Sequence, residues 1–574
     1  MVKFELDGSE VEVVDDGGSL LGALRDRLGN RSVKDGCSPQ GQCGCCTVLV
    51  DGDPRVACVT PLRRISGRHV TTVEGLTGAE RSRWVDAFLA HGASQCGFCT
   101  PGIVCRLVGH ERRGADLSDR QVIDRALAAH LCRCTGWQTI REAASSLGET
   151  KDQRDLDAAT RQATLETGSR QIVSEEVVLG QARFADDTAP PEASVAVRGR
   201  DQVYVAQTLH EARQLSGKVQ GRRSTLGTAH PLLLPEGDWA LMLRTSWVEP
   251  AYLETDASWC RPDGDPADPI ANGGAFGGKA RTDVNDIARD LAQSHQNAIR
   301  YLWSREDSVK YGVKRPPIAA GMRSDGSGVI RVVKTEGINS LIRSVLPDCE
   351  IEEVEVQGPP TSSMVRGSGW VEAEMLKAGL RGQTDWITSP TGASASAAIG
   401  DGRIRIEINA GTPIDWVMFR SYCIGAAHMA YSWVTSESLS VDEDGEVHDL
   451  TIRSFGILNS ANSPEVEVIS VGDGPAIAAG DAVFAAVAAS AWLNRGCPVE
   501  LPAGENRVAF YKNIGGSTCQ NPLPITRLHT KLVTYCSYQA RLAFQGARWR
   551  TAWKIKLLKL SRMFKVFSPK AVYS

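Results

Sequence analysis

Before residue 135 the chain carries ten of its sixteen cysteines, and eight of them fall at spacings that suit a metal. Residues 94–137 open with SQCGFCTPGIVCRLVGH and close with HLCRCTGW, so Cys96/Cys99 and Cys132/Cys134 flank one helical hairpin. Thiolates near a helix N-terminus have depressed pKa values and bind soft metals, so these four can converge on one centre. C-x2-C also accepts a structural zinc, and two reduced thiol pairs are the plainest alternative. The C-x-C half leans toward iron-sulfur.

Upstream, residues 34–58 read KDGCSPQGQCGCCTVLVDGDPRVAC and offer Cys37, Cys43, Cys46 and Cys58 on a glycine-rich loop that runs into a strand. That is the spacing logic of a plant-type 2Fe-2S ferredoxin. Gly36, Gly41 and Gly44 let backbone N–H groups turn toward cluster sulfur where a Cβ would obstruct them. Cys45 is the odd thiol; adjacent side chains diverge, and the two-residue spacing from Cys43 favours Cys46 as the ligand.

The tandem of these motifs, over residues 1 to about 147, resembles the molybdenum hydroxylase family, which includes xanthine dehydrogenase, aldehyde oxidoreductase and carbon monoxide dehydrogenase. The resemblance implies two 2Fe-2S clusters and a molybdenum-molybdopterin cofactor, with Gln95 touching the pterin and the second cluster nearer the molybdenum. The Cys37–Cys43 interval holds five residues where the family commonly has four, so a bulge is expected there. Further signatures follow in order. NGGAFGGK at 272–279 resembles the family's GGxFGG segment, which would place Gly273, Gly274, Phe276, Gly277 and Gly278 against the cofactor. GQARFADD, EPAYLET, MVRGSGW and CIGAAHMAYSWVTSESL are similar to successive stretches of the molybdenum domain, and the third brings Arg366 toward the site to steady negative charge. The family's general-base Glu matches Asp473, one methylene shorter. Val248 and Ala280 replace polar residues of the pattern, which leaves purine recognition unsupported.

These groups need elements to hold them. Val2, Phe4 and Leu6 alternate, Asp7-Gly8 turns, and Val11 and Val13 resume, which predicts a hairpin. Ser19 then caps a helix carrying Leu20, Leu21, Leu24 and Leu28. The fold class expected is α+β multidomain: a β-grasp ferredoxin domain over 1–76, a four-helix 2Fe-2S domain over 77–147, a polar linker over 148–172, and a shortened mixed α/β molybdopterin-binding region over 173–505. Helical spacing within 77–147 predicts helices near 79–91, 100–111, 118–130 and 136–147. Farther on, helices are expected near 284–295, 371–378 and 480–494, and strands near 329–333, 404–408 and 466–469.

A net charge of −4 gives no reason to expect a nucleic-acid partner, and the thiol-rich chain without a leader or an apolar run suggests a cytoplasmic protein. A G-x-G-x-x-G turn and a flavin-domain-sized insertion are both absent. Residues 506–574 contain thirteen Lys and Arg and no Asp or Glu, and AWKIKLLKLSRMFKVF at 552–567 forms a basic amphipathic pattern. It suits an anionic lipid surface or an acidic partner, or equally a tail without a dedicated role. The expectation is an oxidoreductase that hydroxylates an aldehyde or N-heterocycle with water-derived oxygen and passes electrons to an external acceptor or a separate flavin subunit, as a homodimer. The competing expectation is an electron-transfer subunit whose molybdenum domain has decayed.

Overall fold

The computed structural model describes residues 1–149, 154–217, 227–228, 230–270 and 272–503. The basic segment from 506 onward lies outside them. Val2–Leu6 pairs antiparallel with Ser9–Val13 through Asp7 and Gly8, both in the left-handed region at φ 50° and 85°, the turn that matches strand twist. Three more strands complete a five-stranded sheet in the order Ser9–Val13, Val2–Leu6, His69–Thr71, Thr47–Val50, Asp53–Val56. Leu20, Leu21 and Leu24 bury the first helical turns under it, and the Ser19 hydroxyl accepts from Gly22 N at 3.3 Å.

Four helices follow, Gly78–His91, Thr100–Glu111, Arg120–Leu127 and Gln138–Ser145, where the spacing places them. The Thr100–Glu111 helix packs so closely on the cysteine loop that a Cβ on Gly102 would lie 2.4 Å from Gly44 O.

Within the expected linker the structure builds a helix, Leu156–Thr167, started by Asp155, whose carboxylate accepts from Ala158 N at 2.9 Å. It buries Ala159, Ala163 and Gln162 against Met418 of the Trp416–Thr435 helix. Small side chains suffice because they let the two backbones approach closely, so large apolar residues are not needed to fix it.

Beyond residue 190 the chain forms three four-stranded sheets. Their orders are Val203–Ala206, Ser194–Arg198, Ile299–Leu302, Ala257–Cys260; then Cys349–Val354, Gly328–Val333, Ile318–Met322, Leu241–Arg244; then Ile387–Thr388, Ser394–Gly400, Arg403–Asn409, Glu465–Ser470. The expected strands and the expected helices at Val284–His295, Trp370–Arg381 and Gly480–Leu493 are present. The Trp416–Thr435 and Gly480–Leu493 helices pack on each other at the centre. Six alanines of the latter, Ala482, Ala485, Ala486, Ala488, Ala489 and Ala491, are wholly buried, and Trp433 stacks on Phe484 with centroids 5.7 Å apart. Among the described residues, no helix is long and apolar enough to cross a membrane.

Candidate iron-sulfur and cofactor site

The first cysteine loop is shaped by residues in the left-handed region. Gly41 and Gly44 have φ of 70° and 75°, and Ser38 has φ 52°, with its amide donating to Asp35 Oδ1 at 3.0 Å. Ser38 lies in the five-residue interval. Gly36 faces the thiols: a Cβ there would sit 3.2 Å from both Cys43 Sγ and Cys45 Sγ. Cys37 Sγ accepts from Gln40 N at 3.0 Å and Gln42 N at 3.5 Å, and Cys46 Sγ accepts from Cys58 N at 3.4 Å. The thiols bond in a chain, Cys43 to Cys37, Cys37 to Cys58, Cys58 to Cys46, which holds Cys37 well below the usual thiol range and pushes Cys43 and Cys58 above it. Cys45 is buried against Cys43, 3.9 Å from its carbonyl oxygen.

In the second quartet Cys96 and Cys134 approach to 3.5 Å, and Cys99 pairs with Cys132. Hydrogen bonding to the Cys99 thiol, with help from Thr135, lowers Cys132 to about 7. The turn between Cys132 and Cys134 is fixed by Arg133, which is buried, donates to Pro250 O at 3.1 Å and forks onto Glu437 at 2.6 and 2.8 Å. Among the described residues no three His, Cys, Asp or Glu side chains are placed to hold one metal ion. Two quartets of buried or part-buried thiols, each gathered in one place, supply the donor set of a 2Fe-2S centre.

The quartets communicate through the backbone. Leu131 N, next to Cys132, donates to Cys43 O at 3.0 Å. The preceding residue, His130, lies against Gly44 and pairs with Thr47 Oγ1 at 3.1 Å; burial lowers it to about 3, so its ring is neutral.

The glycine loop abuts the second quartet. Gly273 has φ 78°, and a Cβ there would lie 2.7 Å from Gln171 Oε1 and 2.9 Å from Cys96 Cβ. A Cβ on Gly277 would fall 2.0 Å from Met364 O, so Gly277 permits contact with the Arg366 segment. The Arg366 guanidinium lies 5.0 Å above the Phe276 ring, and its Nη2 faces Met429 Sδ at 3.7 Å. Gln95 Nε2 donates to Ser421 O and Oγ at 3.1 and 3.0 Å, which joins the second quartet to the Trp416–Thr435 helix. Gly278 is packed against Tyr252, while Gly274 faces Thr167 O and Ser169 Oγ. Asp473 is not brought here. It is exposed, in the loop between Ser470 and Gly480, and is not among the residues lining the cavity beside the second quartet.

Residues that the sequence analysis passed over complete the site. Ser169 Oγ, Gln171 Oε1, Tyr422 OH and Arg366 Nε are buried without a hydrogen-bond partner among the described residues. Three of these orphaned polar atoms, on Ser169, Gln171 and Arg366, border Gly274, Gly273 and Phe276 of the glycine loop, a setting that suits a polar heterocycle such as a pterin. Gly273, Gly274 and Phe276 line the cavity beside the second quartet together with Gln95, Cys96 and Cys134. Of the three residues with orphaned atoms only Arg366 lies in a recognisable motif; Ser169 and Gln171 stand in the polar stretch after the unexpected helix.

Comparison with known proteins agrees with this geometry. The 2Fe-2S iron-sulfur cluster binding domain matches residues 4–63, and the 2Fe-2S binding domain matches residues 72–145. Aldehyde oxidoreductase of Megalodesulfovibrio gigas is 37% identical over 160 residues, 26% of this chain and 18% of the relative, so the chain spans under a fifth of that protein's length. Nicotine 6-hydroxylase small subunit of Paenarthrobacter nicotinovorans is 38% identical over 143 residues, 25% of this chain and 86% of the relative. The structure of aldehyde oxidoreductase from Desulfovibrio desulfuricans superposes with a TM-score of 0.62 at 12% identity, covering 88% of this chain and 99% of that one, a likeness of fold. With two 2Fe-2S binding domains in tandem and relatives of this kind, the chain belongs to the molybdenum hydroxylase family of xanthine dehydrogenase and aldehyde oxidoreductase.

Proposed function

We propose that this protein is an oxidoreductase that hydroxylates an aldehyde or an N-heterocycle and passes the electrons out through two 2Fe-2S clusters. The observation that carries the proposal is the contact between the second thiol quartet and the glycine loop, with Cys96 Cβ where a side chain on Gly273 would be. A molybdenum-molybdopterin cofactor, when bound, would supply the two-electron oxidation with water-derived oxygen.

The chain's own residues do the rest. Ser169, Gln171 and Tyr422 offer the unpaired polar atoms that would hold the heterocycle, and Gln95 ties its wall to the Trp416–Thr435 helix. Phe276 closes the pocket to water, and Arg366 behind it steadies negative charge in a low-dielectric setting. Cys96, Cys99, Cys132 and Cys134 stand nearer the loop; Cys37, Cys43, Cys46 and Cys58 stand beyond them, linked by the Leu131–Cys43 hydrogen bond. Electrons leave in that order, to an external carrier or a separate flavin subunit.

Metal analysis of protein purified without air tests the reading. About four irons per chain, molybdenum in addition, and a visible iron-sulfur spectrum are expected. Zinc without iron would overturn the whole reading, and iron without molybdenum the hydroxylation.

A further inference from the structure

Of the first thiol quartet, Cys58 lines an open cleft of about 360 Å³. The neighbouring Val59 is 52% exposed, a large apolar side chain left in water next to a cluster ligand. A cavity of this size falls in the range of small-molecule sites, about 300–1,000 Å³. Its two walls are braced. On one side residues 18–22 are tied to the segment after Cys58, with Leu20 N donating to Thr60 O at 2.8 Å and Leu62 N to Gly18 O at 3.1 Å. On the other, the Leu209–Leu215 helix is tied to the cysteine loop, where Arg213 Nη2 donates to Ser38 Oγ at 2.7 Å. The cleft is therefore preformed, with Pro39, Val59, Pro61 and Leu209 as its apolar lining.

The charges around the cleft do not balance. Asp16 meets Arg27 at 3.4 Å, Asp26 meets Arg300 at 2.6 Å, and Asp35 meets Arg213 at 3.5 Å. Arg25 is taken up by Asp186 and Asp187 at 2.6 and 2.9 Å. Arg63 is exposed and has no ion pair among the described residues. An occupant of the cleft thus meets apolar side chains, one uncompensated positive charge and a cluster ligand. A 2Fe-2S cluster releases one electron at a time, whereas the proposed hydroxylation yields two, so the acceptor must take up single electrons in succession. A quinone does so, and its flat ring suits an apolar cleft.

We propose that the cleft beside Cys58 binds a small quinone with an anionic substituent, its ring against Val59 and its negative group toward Arg63, and that electrons leave the protein there. Two electrons, one from each reduced cluster, and two protons from solvent convert the quinone to its hydroquinone, and both clusters return to the oxidised state. No covalent bond to the protein forms. The site rests on the function proposed above, whose external carrier it identifies by chemical class.

The test uses the full chain with both clusters reconstituted and reduced by dithionite, and follows their reoxidation by visible absorbance in stopped flow. With 1,4-naphthoquinone-2-sulfonate the rate should saturate as the quinone concentration rises. Arg63→Gln should raise the half-saturating concentration about 2–5-fold, the worth of one exposed ion pair, and leave that of uncharged 2-methyl-1,4-naphthoquinone unchanged. His210 lines the cleft from the Leu209–Leu215 helix, so His210→Trp fills it and should raise the half-saturating concentration of both quinones on the order of tenfold. Reoxidation by hexaammineruthenium(III), which needs no seat, should keep its wild-type rate in both variants. A rate that rises in proportion to quinone without saturating, an unaltered His210→Trp, or an Arg63→Gln effect equal for the two quinones overturns the proposal. A chain that takes up no iron overturns the functional reading and this site with it, whereas clusters that form, reduce and reoxidise without saturation overturn the site alone.

Discussion

Replacing Gly44 by Ala tests whether the two quartets are held in register by close backbone approach. Gly44 has φ 75°, and a Cβ there would lie 2.5 Å from His130 Cδ2 and 2.6 Å from Cγ. The left-handed backbone costs an L-residue about 1–2 kcal/mol, and forcing a methyl into a packed interior costs about 1–3 kcal/mol more. His130 cannot step aside cheaply, because its Nε2 is paired with Thr47 Oγ1 and its ring is fully enclosed. The sum is about 2–5 kcal/mol, read as a lower urea midpoint of the apoprotein. Movement of His130 also drags Leu131 from Cys43 O, so the reconstituted variant should lose magnetic interaction between its reduced clusters in electron paramagnetic resonance. In a His130→Ala background the overlap is relieved, and Gly44→Ala should cost only the backbone share, about 1–2 kcal/mol. Equal costs in both backgrounds would refute the overlap argument, and wild-type stability in Gly44→Ala would refute both shares.

Cys46→Ser should lower iron from about four to about two per chain while Cys45→Ser leaves it at about four; the reverse result would exchange the ligand assignment. Glu437→Ala leaves the buried Arg133 charge unpaired beside Cys132 and Cys134, which should cost about 3–5 kcal/mol in urea unfolding and remove the second cluster's spectrum first. Asp186 accepts a hydrogen bond from Arg25 at 2.6 Å and forms an ion pair with Arg300 at 3.2 Å, and although burial opposes its charge, these two guanidinium groups bring its pKa below the ordinary 3.8. A depressed carboxyl pKa adds stability that is present above 3.8 and lost as pH falls through the folded value, so Asp186→Asn should be destabilised by about 3–5 kcal/mol at neutral pH, with the gap to wild type narrowing in acid.

The thiol quartets were legible because a ligand set constrains both residue type and interval, and the glycines around them report positive φ or close approach directly in the sequence. Gly41, Gly44, Gly273 and Gly277 each meet one of those demands. The second half of the site was not legible, for two physical reasons. A helix that docks through Ala159 and Ala163 buries too little apolar surface to show a hydrophobic stripe, so Leu156–Thr167 read as a linker and hid Ser169 and Gln171 with it. And a carboxylate's usefulness depends on what surrounds it, which sequence position alone does not carry. Asp473 occupies the expected place along the chain yet ends in solvent, in the loop between Ser470 and Gly480, where no partner among the described residues turns it toward the quartet.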